Sequence, residues 1–356
     1  MKEDKPGLFA QTTNNSSRDY SKADNWGKNI FNSSFPASLV AYMSYKGVKP
    51  VYLMTDIDNK VIHNYISGEE LYRINPLSPL AFYNFEAGYS AYERFYTGDR
   101  EKIDLVMMDS SNNSNLIGLE IKLTTIPDST TKNLSEDKYS SEIVVRTPTI
   151  NFLACSICNS FLDIAGRNKL KELLGDIHIN HWEEIEEVLP HFNKINEAIL
   201  RVSSYLYQNQ TPLIIQPIWK TVKGKPTLAE DCLDVFVWSN LAVIQMFISK
   251  EDETPQKLTR QMRSVIWLYL MLFEYSVYGQ FDYKRIVLLH SYNQKNDKAF
   301  AISGTQSYPF LQCEELTHPR ISKYDIKYII LGGGQNLLSP ERRFDAVIVN
   351  SPDLFE

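Results

Sequence analysis

The stretch that most constrains the fold runs from Asp99 to Thr125 and has the sequence DREKIDLVMMDSSNNSNLIGLEIKLTT. It contains two apolar runs, Ile103–Met108 and Leu116–Leu123, separated by a polar segment rich in Ser and Asn. Apolar runs bounded by turn residues are typical of strands, and Ser and Asn favour turns because their side chains bond to the local backbone. The pattern therefore predicts two strands joined as a hairpin.

Three charged residues on these strands are predicted to meet. Side chains alternate between the two faces of a strand. Glu120 and Lys122 therefore share one face, while Leu119 and Ile121 point to the other. Asp104 is the acid within the first strand and can be presented to the same face. We expect two carboxylates and one ammonium at a solvated edge of the hairpin.

This set of groups suits metal-assisted hydrolysis of a phosphodiester. Two carboxylates can hold Mg²⁺, which keeps several of its waters and can bridge to a substrate phosphate. A bound metal polarises the phosphoryl group and lowers the pKa of a water, which Lys122 can orient or deprotonate. The alternative interpretation is an ordinary hairpin whose solvated face carries charges.

Length and composition allow one large α/β domain with insertions, or two domains, because 356 residues with 43% hydrophobic content can bury a real core. The N-terminus is polar, and the most apolar run, Val265–Leu272, is too short to span a bilayer. We expect a soluble cytoplasmic protein. The net charge of −6 counts only weakly against DNA binding, because a cleft can be positive in a mildly negative protein.

Two further groups of metal-binding residue types lack the partners of a metal site. Cys155 and Cys158 have metal-like spacing but no second pair, so we expect them in a buried helix. His178 and His181 have no third ligand nearby and are predicted on a helix surface. The acidic cluster Glu183–Glu187 is typical of a solvated helix face.

Hydrophobic periodicity, proline and glycine predict the remaining elements. Predicted helices cover Pro36–Tyr45, Pro79–Gly98, Thr149–Phe161, residues 165–210, Asn240–Ile248 and Gln256–Tyr278. Predicted strands cover Val51–Asp56, Lys60–Asn64, Leu213–Trp219, Leu233–Trp238, Arg285–His290 and Tyr328–Leu331, with a charged loop between Trp219 and Leu233.

The helix predicted from Gln256 begins with three basic residues at three-residue spacing, Lys257, Arg260 and Arg263. Such a spacing drifts slowly around one helix face. The apolar sequence after them would anchor the helix and hold a basic turn against DNA. The alternative is a solvated helix start.

Several blocks together resemble the HindVP/HgiDI family of type II restriction endonucleases. They are KPGLF, SRDYSKADNWGKNIFNSSFPASL, YNFEAGYSAYERF, IDLVMM with LIGLEIKLTTIPD, LIIQPIWKTVKGKPTLAEDCLDVFVWS, RQMRSVIWLYLMLFEY and LSPERRFDA, spread over residues 5–346. The spacing of Asp104, Glu120 and Lys122 also resembles the D…(D/E)xK signature of restriction-endonuclease-like nucleases.

The resemblance implies an α/β restriction-endonuclease-like core, with a central mixed sheet flanked by helices and with helical insertions. We expect one domain over residues 1–356. It would comprise a polar arm (1–25), a catalytic core (79–125 and 149–240), a helical insertion within that core (165–210) and a C-terminal part for DNA recognition and dimerisation (241–356).

It also implies a Mg²⁺-dependent homodimer that cuts double-stranded DNA at GRCGYC, between R and C, leaving 5′-phosphates, with a cognate DNA methyltransferase in the same system. The family's metal ligands carry over onto Asp104 and Glu120, with Ile121 between Glu120 and Lys122 as a further ligand, and the catalytic lysine onto Lys122. Because an acid before the motif's first strand often assists in this fold, Glu86 is the candidate, and Glu93 is second. A repair or recombination nuclease and an inactive DNA-binding relative remain alternatives.

Overall fold

A nine-stranded mixed sheet forms the centre of the computed structural model. The structure describes residues 28–122, 124–125, 142–222, 225–248, 257–290, 299–303, 315 and 318–326. The polar arm predicted for residues 1–25 and the strand predicted at Tyr328–Leu331 lie outside these ranges. Within them, no helix is long and apolar enough to cross a membrane.

The strands are numbered in the order in which they occur along the chain. They are β1 (Val51–Thr55), β2 (Val61–Tyr65), β3 (Ala81–Ala87), β4 (Tyr96–Thr97), β5 (Ile103–Asp109), β6 (Ser114–Ile121), β7 (Thr124–Thr125), β8 (Glu142–Arg146), β9 (Pro212–Val222), β10 (Lys225–Ser239), β11 (Phe281–Asp282), β12 (Ala299–Ser303) and β13 (Ile321–Ser322).

The helices are α1 (Lys28–Tyr45), α2 (Gly68–Tyr72), α3 (Ser90–Glu93), α4 (Thr147–Cys158), α5 (Ile164–Leu174), α6 (Ile185–Val188), α7 (Phe192–Leu206), α8 (Asn240–Ile244), α9 (Arg260–Tyr278) and α10 (Tyr283–Leu288). A 3₁₀ turn, Leu189–His191, joins α6 to α7.

The sheet has the strand order β2-β1-β10-β9-β6-β5-β3, with β13 also paired to β10 and β7 to β9. Neighbours β3, β5 and β6 are antiparallel, whereas β6 runs parallel to β9. β9 and β10 are antiparallel, and β1 is parallel to β10. Strands β4 and β11, and strands β8 and β12, form two separate two-stranded sheets.

Apolar side chains cover both faces of the sheet. One cluster joins α1 and α2 to the face that carries Leu119 and Ile121. The other joins α4, α5, α7 and α9 to the opposite face, where Trp238 is buried. Helix α9 packs against α4, α5 and α7. The predicted architecture, a central mixed sheet flanked by helices, is therefore confirmed.

Local signals in the sequence explain several element boundaries. The β5–β6 turn is fixed by Asp109, whose carboxylate accepts hydrogen bonds from the backbone and side chain of Ser111. Helix α9 begins after Thr259, whose hydroxyl accepts from the Met262 amide. It ends at Gly279, whose φ of +76° suits glycine. The predicted hairpin of β1 and β2 and the predicted end of α1 are also confirmed.

The helix predicted over Pro79–Gly98 is wrong. This segment forms β3, the short helix α3 and β4. Ala81, Tyr83 and Phe85 are buried at every second position, which is the period of a strand. The aromatic residues also happen to match a helical spacing. Pairing of β3 with β5, a contact that local periodicity does not encode, decides between the two.

The strand predicted at Arg285–His290 is also wrong, because this run begins inside α10. The Asp282 carboxylate caps the helix by accepting from the Arg285 amide. Tyr283, Ile286 and Val287 are buried at helical spacing. A short apolar run without period-2 alternation fits a helix as well as a strand, and here the cap favours the helix.

The ends of several helices and strands differ from the predicted positions. Helix α1 begins at Lys28 rather than Pro36, because Phe35 already belongs to the buried face and packing extends the helix through the proline. Strands β9 and β10 continue into the segment predicted as a loop, where Leu228 pairs with Thr221. Helix α9 begins at Arg260, so Lys257 precedes it.

Candidate active site

The hairpin β5–β6 brings Asp104 and Glu120 together. Leu105 pairs with Leu119, so the preceding Asp104 lies at the level of Glu120 on the neighbouring strand. Lys122 follows the end of β6, and its amide donates to the Ile215 carbonyl of β9. Asp104, Glu120 and Lys122 therefore lie close together in the fold, as strand alternation predicts.

Short hydrogen bonds connect the three side chains to one another and to the backbone. The Lys122 ammonium lies 3.0 Å from a Glu120 carboxylate oxygen. The Ile121 amide donates to an Asp104 carboxylate oxygen over 2.7 Å. Asp104 is thus held against the end of β6 by the backbone between the other two residues.

Glu120 is buried and Asp104 and Lys122 are partly buried, which corrects the expectation of a solvated edge. The side chains of Glu120 and Lys122 are only 6% and 15% exposed. This enclosure arises because their face of the sheet is covered by the cluster that contains α4 and α9. Inside it, charges interact more strongly than they would in water.

Burial raises the pKa of the Glu120 carboxyl well above its usual value, and the neighbouring Asp104 carboxylate raises it further, although the Lys122 ammonium opposes both effects. Burial alone would lower the pKa of Lys122, but the Glu120 and Asp104 carboxylates outweigh it and raise that pKa. Lys122 is therefore an ammonium at neutral pH in the metal-free protein, which favours orientation of water over its deprotonation.

The donor set fits a hard divalent cation. A buried carboxylate beside a second carboxylate is a costly arrangement that a cation relieves, and carboxylate oxygens are the ligands that Mg²⁺ prefers. The described residues contain no cluster of three or more His, Cys, Asp or Glu side chains that could hold a metal. Protein ligands beyond Asp104 and Glu120 must therefore come from backbone groups, such as that of Ile121, or from residues outside the described ranges.

Glu86 lies on strand β3 instead of the predicted helix. Phe85 pairs with Leu105 and Ala87 with Ile103, so Glu86 is at the level of Asp104. Its φ of +51° is in the left-handed region that residues other than glycine rarely adopt. Such backbone strain often occurs at functional sites. Glu93, the second candidate, pairs with Arg100 over 3.3 Å.

Two residues near this site were not singled out by the sequence pattern. Arg146 ends β8, and its positive charge partly opposes the rise that the carboxylates cause in the pKa of Lys122. The hydroxyl of Tyr283 at the start of α10 hydrogen-bonds to the Thr147 side chain, and Glu120 is close enough to raise the Tyr283 pKa. No local signal identifies them, because they are far from Lys122 in sequence and only the chain topology brings them there.

The predicted basic turn is corrected at one of its three positions. Lys257 and Arg260 are exposed, but Arg263 is only 2% exposed. Its guanidinium donates to the His290 carbonyl over 3.0 Å and lies over the Trp267 ring. Residues three apart do not point in the same direction from a helix. Arg260 therefore faces solvent, whereas Arg263 faces the core.

The other candidate metal-binding residues have the predicted burial, but only the cysteines lie on a helix as predicted. Cys155 and Cys158 are fully buried in α4, and burial raises the pKa of both thiols. His178 and His181 are exposed, although they lie between α5 and α6 rather than on a helix. The acidic cluster Glu183–Glu187 is largely exposed around α6.

Comparisons with known proteins show which family the chain belongs to. The family model "HindVP restriction endonuclease" matches residues 26–355. The chain is 40% identical to "Type II restriction enzyme HgiDI" of Herpetosiphon aurantiacus, covering 99% of this chain and 97% of the relative. It is also 40% identical to "Probable type II restriction enzyme HindVP" of Haemophilus influenzae, covering 99% and 95%.

No solved structure matches this chain. The family match covers nearly the whole sequence, including the hairpin with Asp104, Glu120 and Lys122. The chain therefore belongs to the HindVP family of type II restriction endonucleases, which are site-specific deoxyribonucleases.

Proposed function

We propose that this protein is a Mg²⁺-dependent homodimer that hydrolyses both strands of DNA at the palindrome GRCGYC, between R and C, and leaves 5′-phosphates. The observation that carries the proposal is the largely enclosed group of Asp104, Glu120 and Lys122 at the end of β6, in which Glu120 is buried. The target sequence rests on the family resemblance. Palindromic cutting favours a dimer, because a two-fold symmetric enzyme matches a two-fold symmetric site.

Asp104, Glu120 and the Ile121 backbone are the groups that would hold the metal. A Mg²⁺ ion held by these groups would polarise the phosphoryl group and lower the pKa of a bound water. The Ile121 amide fixes the orientation of the Asp104 carboxylate in advance, and the Lys122 ammonium does the same for Glu120. This preorganisation removes the reorganisation cost from the reaction.

Lys122 orients the attacking water and stabilises negative charge on the phosphoryl oxygens. The ammonium has three donors, of which Glu120 occupies one. Among the described residues the other two donors have no partner, so they can bond to water and substrate. Because the carboxylates raise the pKa of Lys122, its ammonium keeps its charge at neutral pH.

Glu86 is proposed as an additional acid that acts on a metal-bound water rather than as a third direct carboxylate ligand, with Glu93 as the second candidate. Glu86 lies on β3 opposite Asp104 and has a positive φ, and both features support this role. Glu86→Asn keeps a residue that tolerates positive φ while it removes the charge. We expect this variant to lose cleavage with no loss of stability. Wild-type cleavage by Glu86→Asn would remove Glu86 from the site.

Lys257 and Arg260 are proposed as contacts to the DNA backbone, from the start of α9. Both side chains are exposed, and Thr259 caps the helix between them. Each should be changed separately to Ala. Loss of a phosphate contact weakens cognate and random DNA about equally and lowers the salt slope by about one unit. Unchanged affinity and slope for both variants would locate the DNA elsewhere.

A cytoplasmic location and a partner methyltransferase of the same specificity follow from the proposed activity, because the host's own sites need protection. Digestion of plasmid DNA with and without Mg²⁺ tests the function. We expect discrete fragments whose 5′ ends map within GRCGYC only when Mg²⁺ is present. Smears or selective cutting of branched DNA would indicate a repair or recombination nuclease, and no cleavage would indicate an inactive relative.

A further inference from the structure

Gln216 of β9 is the neighbour of Lys122 on the adjacent strand. The parallel strands β6 and β9 pair Ile121 with Ile215. The residues that follow them, Lys122 and Gln216, therefore stand at the same level. The Lys122 amide supports this register, because it donates to the Ile215 carbonyl over 2.9 Å. Adjacent strands lie about 4.8 Å apart, so the two side chains leave the sheet close to each other.

Gln216 and Lys122 also share one face of the sheet. Ile121 and Ile215 both belong to the apolar cluster that includes α1 and α2. Because side chains alternate along a strand, the residues after them point to the opposite face. Gln216 has no solvent exposure. A buried carboxamide is costly unless it is hydrogen-bonded, so stability alone would favour an apolar side chain at this position.

The orientation of the Gln216 carboxamide is fixed by Trp238. The indole nitrogen of Trp238 donates to Oε1 of Gln216 over 2.7 Å, and the indole is buried. An indole N–H can only donate, so the carboxamide oxygen must face it. Trp238 lies on β10, and β9 separates β10 from β6. The oxygen is therefore held towards β10, and the NH₂ group, on the other branch of the carboxamide, is directed towards β6.

We propose that Gln216 is a positioning residue for the Glu120–Lys122 pair. This inference rests on the proposed nuclease function and adds a residue that acts through Lys122, without touching DNA or metal. The NH₂ group is the positive end of the carboxamide dipole, so it repels the Lys122 ammonium and attracts the Glu120 carboxylate. The ammonium is thereby kept away from β9, where it lies 3.0 Å from a Glu120 oxygen.

A lysine needs such a neighbour because its ammonium is carried on a flexible four-carbon chain. The Glu120 carboxylate supplies the attraction, and the rigid Gln216–Trp238 pair removes the alternative positions on the β9 side. The order of the strands makes this possible, since Trp238, Gln216 and Lys122 stand on three successive strands, β10, β9 and β6.

The test compares Gln216→Met, Trp238→Phe and the double variant with wild type. Methionine is close to glutamine in length but has no NH₂ group, and Trp238→Phe keeps Gln216 while removing the bond that orients it. Trp267→Phe is the matched control, because the Trp267 indole is also buried and donates over 3.0 Å to the Leu289 carbonyl. Single-turnover cleavage of a GRCGYC duplex in Mg²⁺, DNA affinity in chelator and urea midpoints are measured for each protein.

We expect Gln216→Met and Trp238→Phe each to slow single-turnover cleavage by about 10- to 100-fold, because a displacement of about 1 Å near the reacting groups can cost about a hundredfold. Their DNA affinity in chelator should equal that of wild type. The double variant should be no slower than Gln216→Met, because Trp238 acts through Gln216 and the two losses are not independent. Trp267→Phe should lose stability and keep the wild-type rate.

A wild-type rate in Gln216→Met or in Trp238→Phe would overturn the inference, and so would losses that multiply in the double variant. A fall in DNA affinity as large as the fall in rate would also overturn it, since Gln216 would then act in DNA binding. If Gln216→Met does not fold, the rate of Trp238→Phe relative to Trp267→Phe decides.

In all these cases wild-type cleavage stands, and so does the proposed function. A wild-type protein that cuts no DNA in Mg²⁺ would overturn the function and the inference together.

Discussion

Replacing Glu120 by Gln should abolish cleavage and stabilise the metal-free protein. Glu120 is buried, and both burial and Asp104 disfavour its ionised form. Glutamine has nearly the same shape, keeps an oxygen that can accept from Lys122 and has no charge to desolvate. The change therefore removes a metal ligand and an electrostatic cost at the same position.

The pH sets an upper limit on how much Glu120→Gln can raise the free energy of unfolding. An unfolded glutamate has a pKa of about 4.3, and each pH unit is worth about 1.4 kcal/mol, so ionising Glu120 costs at most about 3.7 kcal/mol at pH 7. The lost attraction of Lys122 offsets part of this. We expect Glu120→Gln to raise the free energy of unfolding by about 1–3 kcal/mol at pH 7.

The pH dependence follows from the direction of the shift. Because burial raises the folded pKa of Glu120, its contribution to stability is full below about pH 4.3 and is lost as the pH rises towards the folded pKa. The advantage of Glu120→Gln should therefore shrink to about 1 kcal/mol or less at pH 5. Mg²⁺ at about 100 times its Kd should add about 2.7 kcal/mol to wild type and much less to the variant.

Urea unfolding with a chelator and with Mg²⁺, at pH 5 and at pH 7, measures these differences. Glu197→Gln, an exposed change on α7, serves as the matched control and should stay within about 0.5 kcal/mol of wild type. A Glu120→Gln protein that is no more stable than wild type at pH 7 in chelator would contradict the expected gain. Equal stabilisation of both proteins by Mg²⁺ would contradict the proposed role of Glu120 as a ligand.

Three other changes test separate parts of the structure. Lys122→Ala should slow single-turnover cleavage by at least about a hundredfold with little loss of DNA affinity, and arginine at this position should not restore the rate. Gly118→Ala should cost about 1–3 kcal/mol in urea unfolding, because its Cβ would lie 2.8 Å from the Tyr89 ring. Arg320→Ala should cost about 3–5 kcal/mol by leaving the buried Asp234 carboxylate without its two 2.7 Å bonds, and Asp234→Asn in the same chain should recover part of that loss.

The β5–β6 hairpin that carries the proposed site is predictable because its determinants are local. Two apolar runs, a polar turn and strand alternation were enough to bring Asp104, Glu120 and Lys122 together. Their burial was not predictable, since it depends on helices from other parts of the chain that cover that face of the sheet.

The failures share a physical cause, which is that packing between distant segments overrode local patterns. Glu86 was predicted on a helix but lies on a strand because β3 pairs with β5. Arg263 was predicted at the surface, but Trp267 and the His290 carbonyl hold it in the core. Arg146 lies near Lys122, and Tyr283 lies near Glu120, only because of the way β8, α4 and α10 are arranged in the fold.

The most direct measurement is single-turnover cleavage of a duplex with one GRCGYC site by wild type and by Asp104→Asn, with both product ends mapped. Asparagine keeps an oxygen to accept from the Ile121 amide, so the fold should be retained. We expect Mg²⁺-dependent cuts between R and C on both strands with 5′-phosphate ends, and no product from the variant while wild type runs to completion. Cleavage by Asp104→Asn at the wild-type rate would contradict the assigned catalytic site.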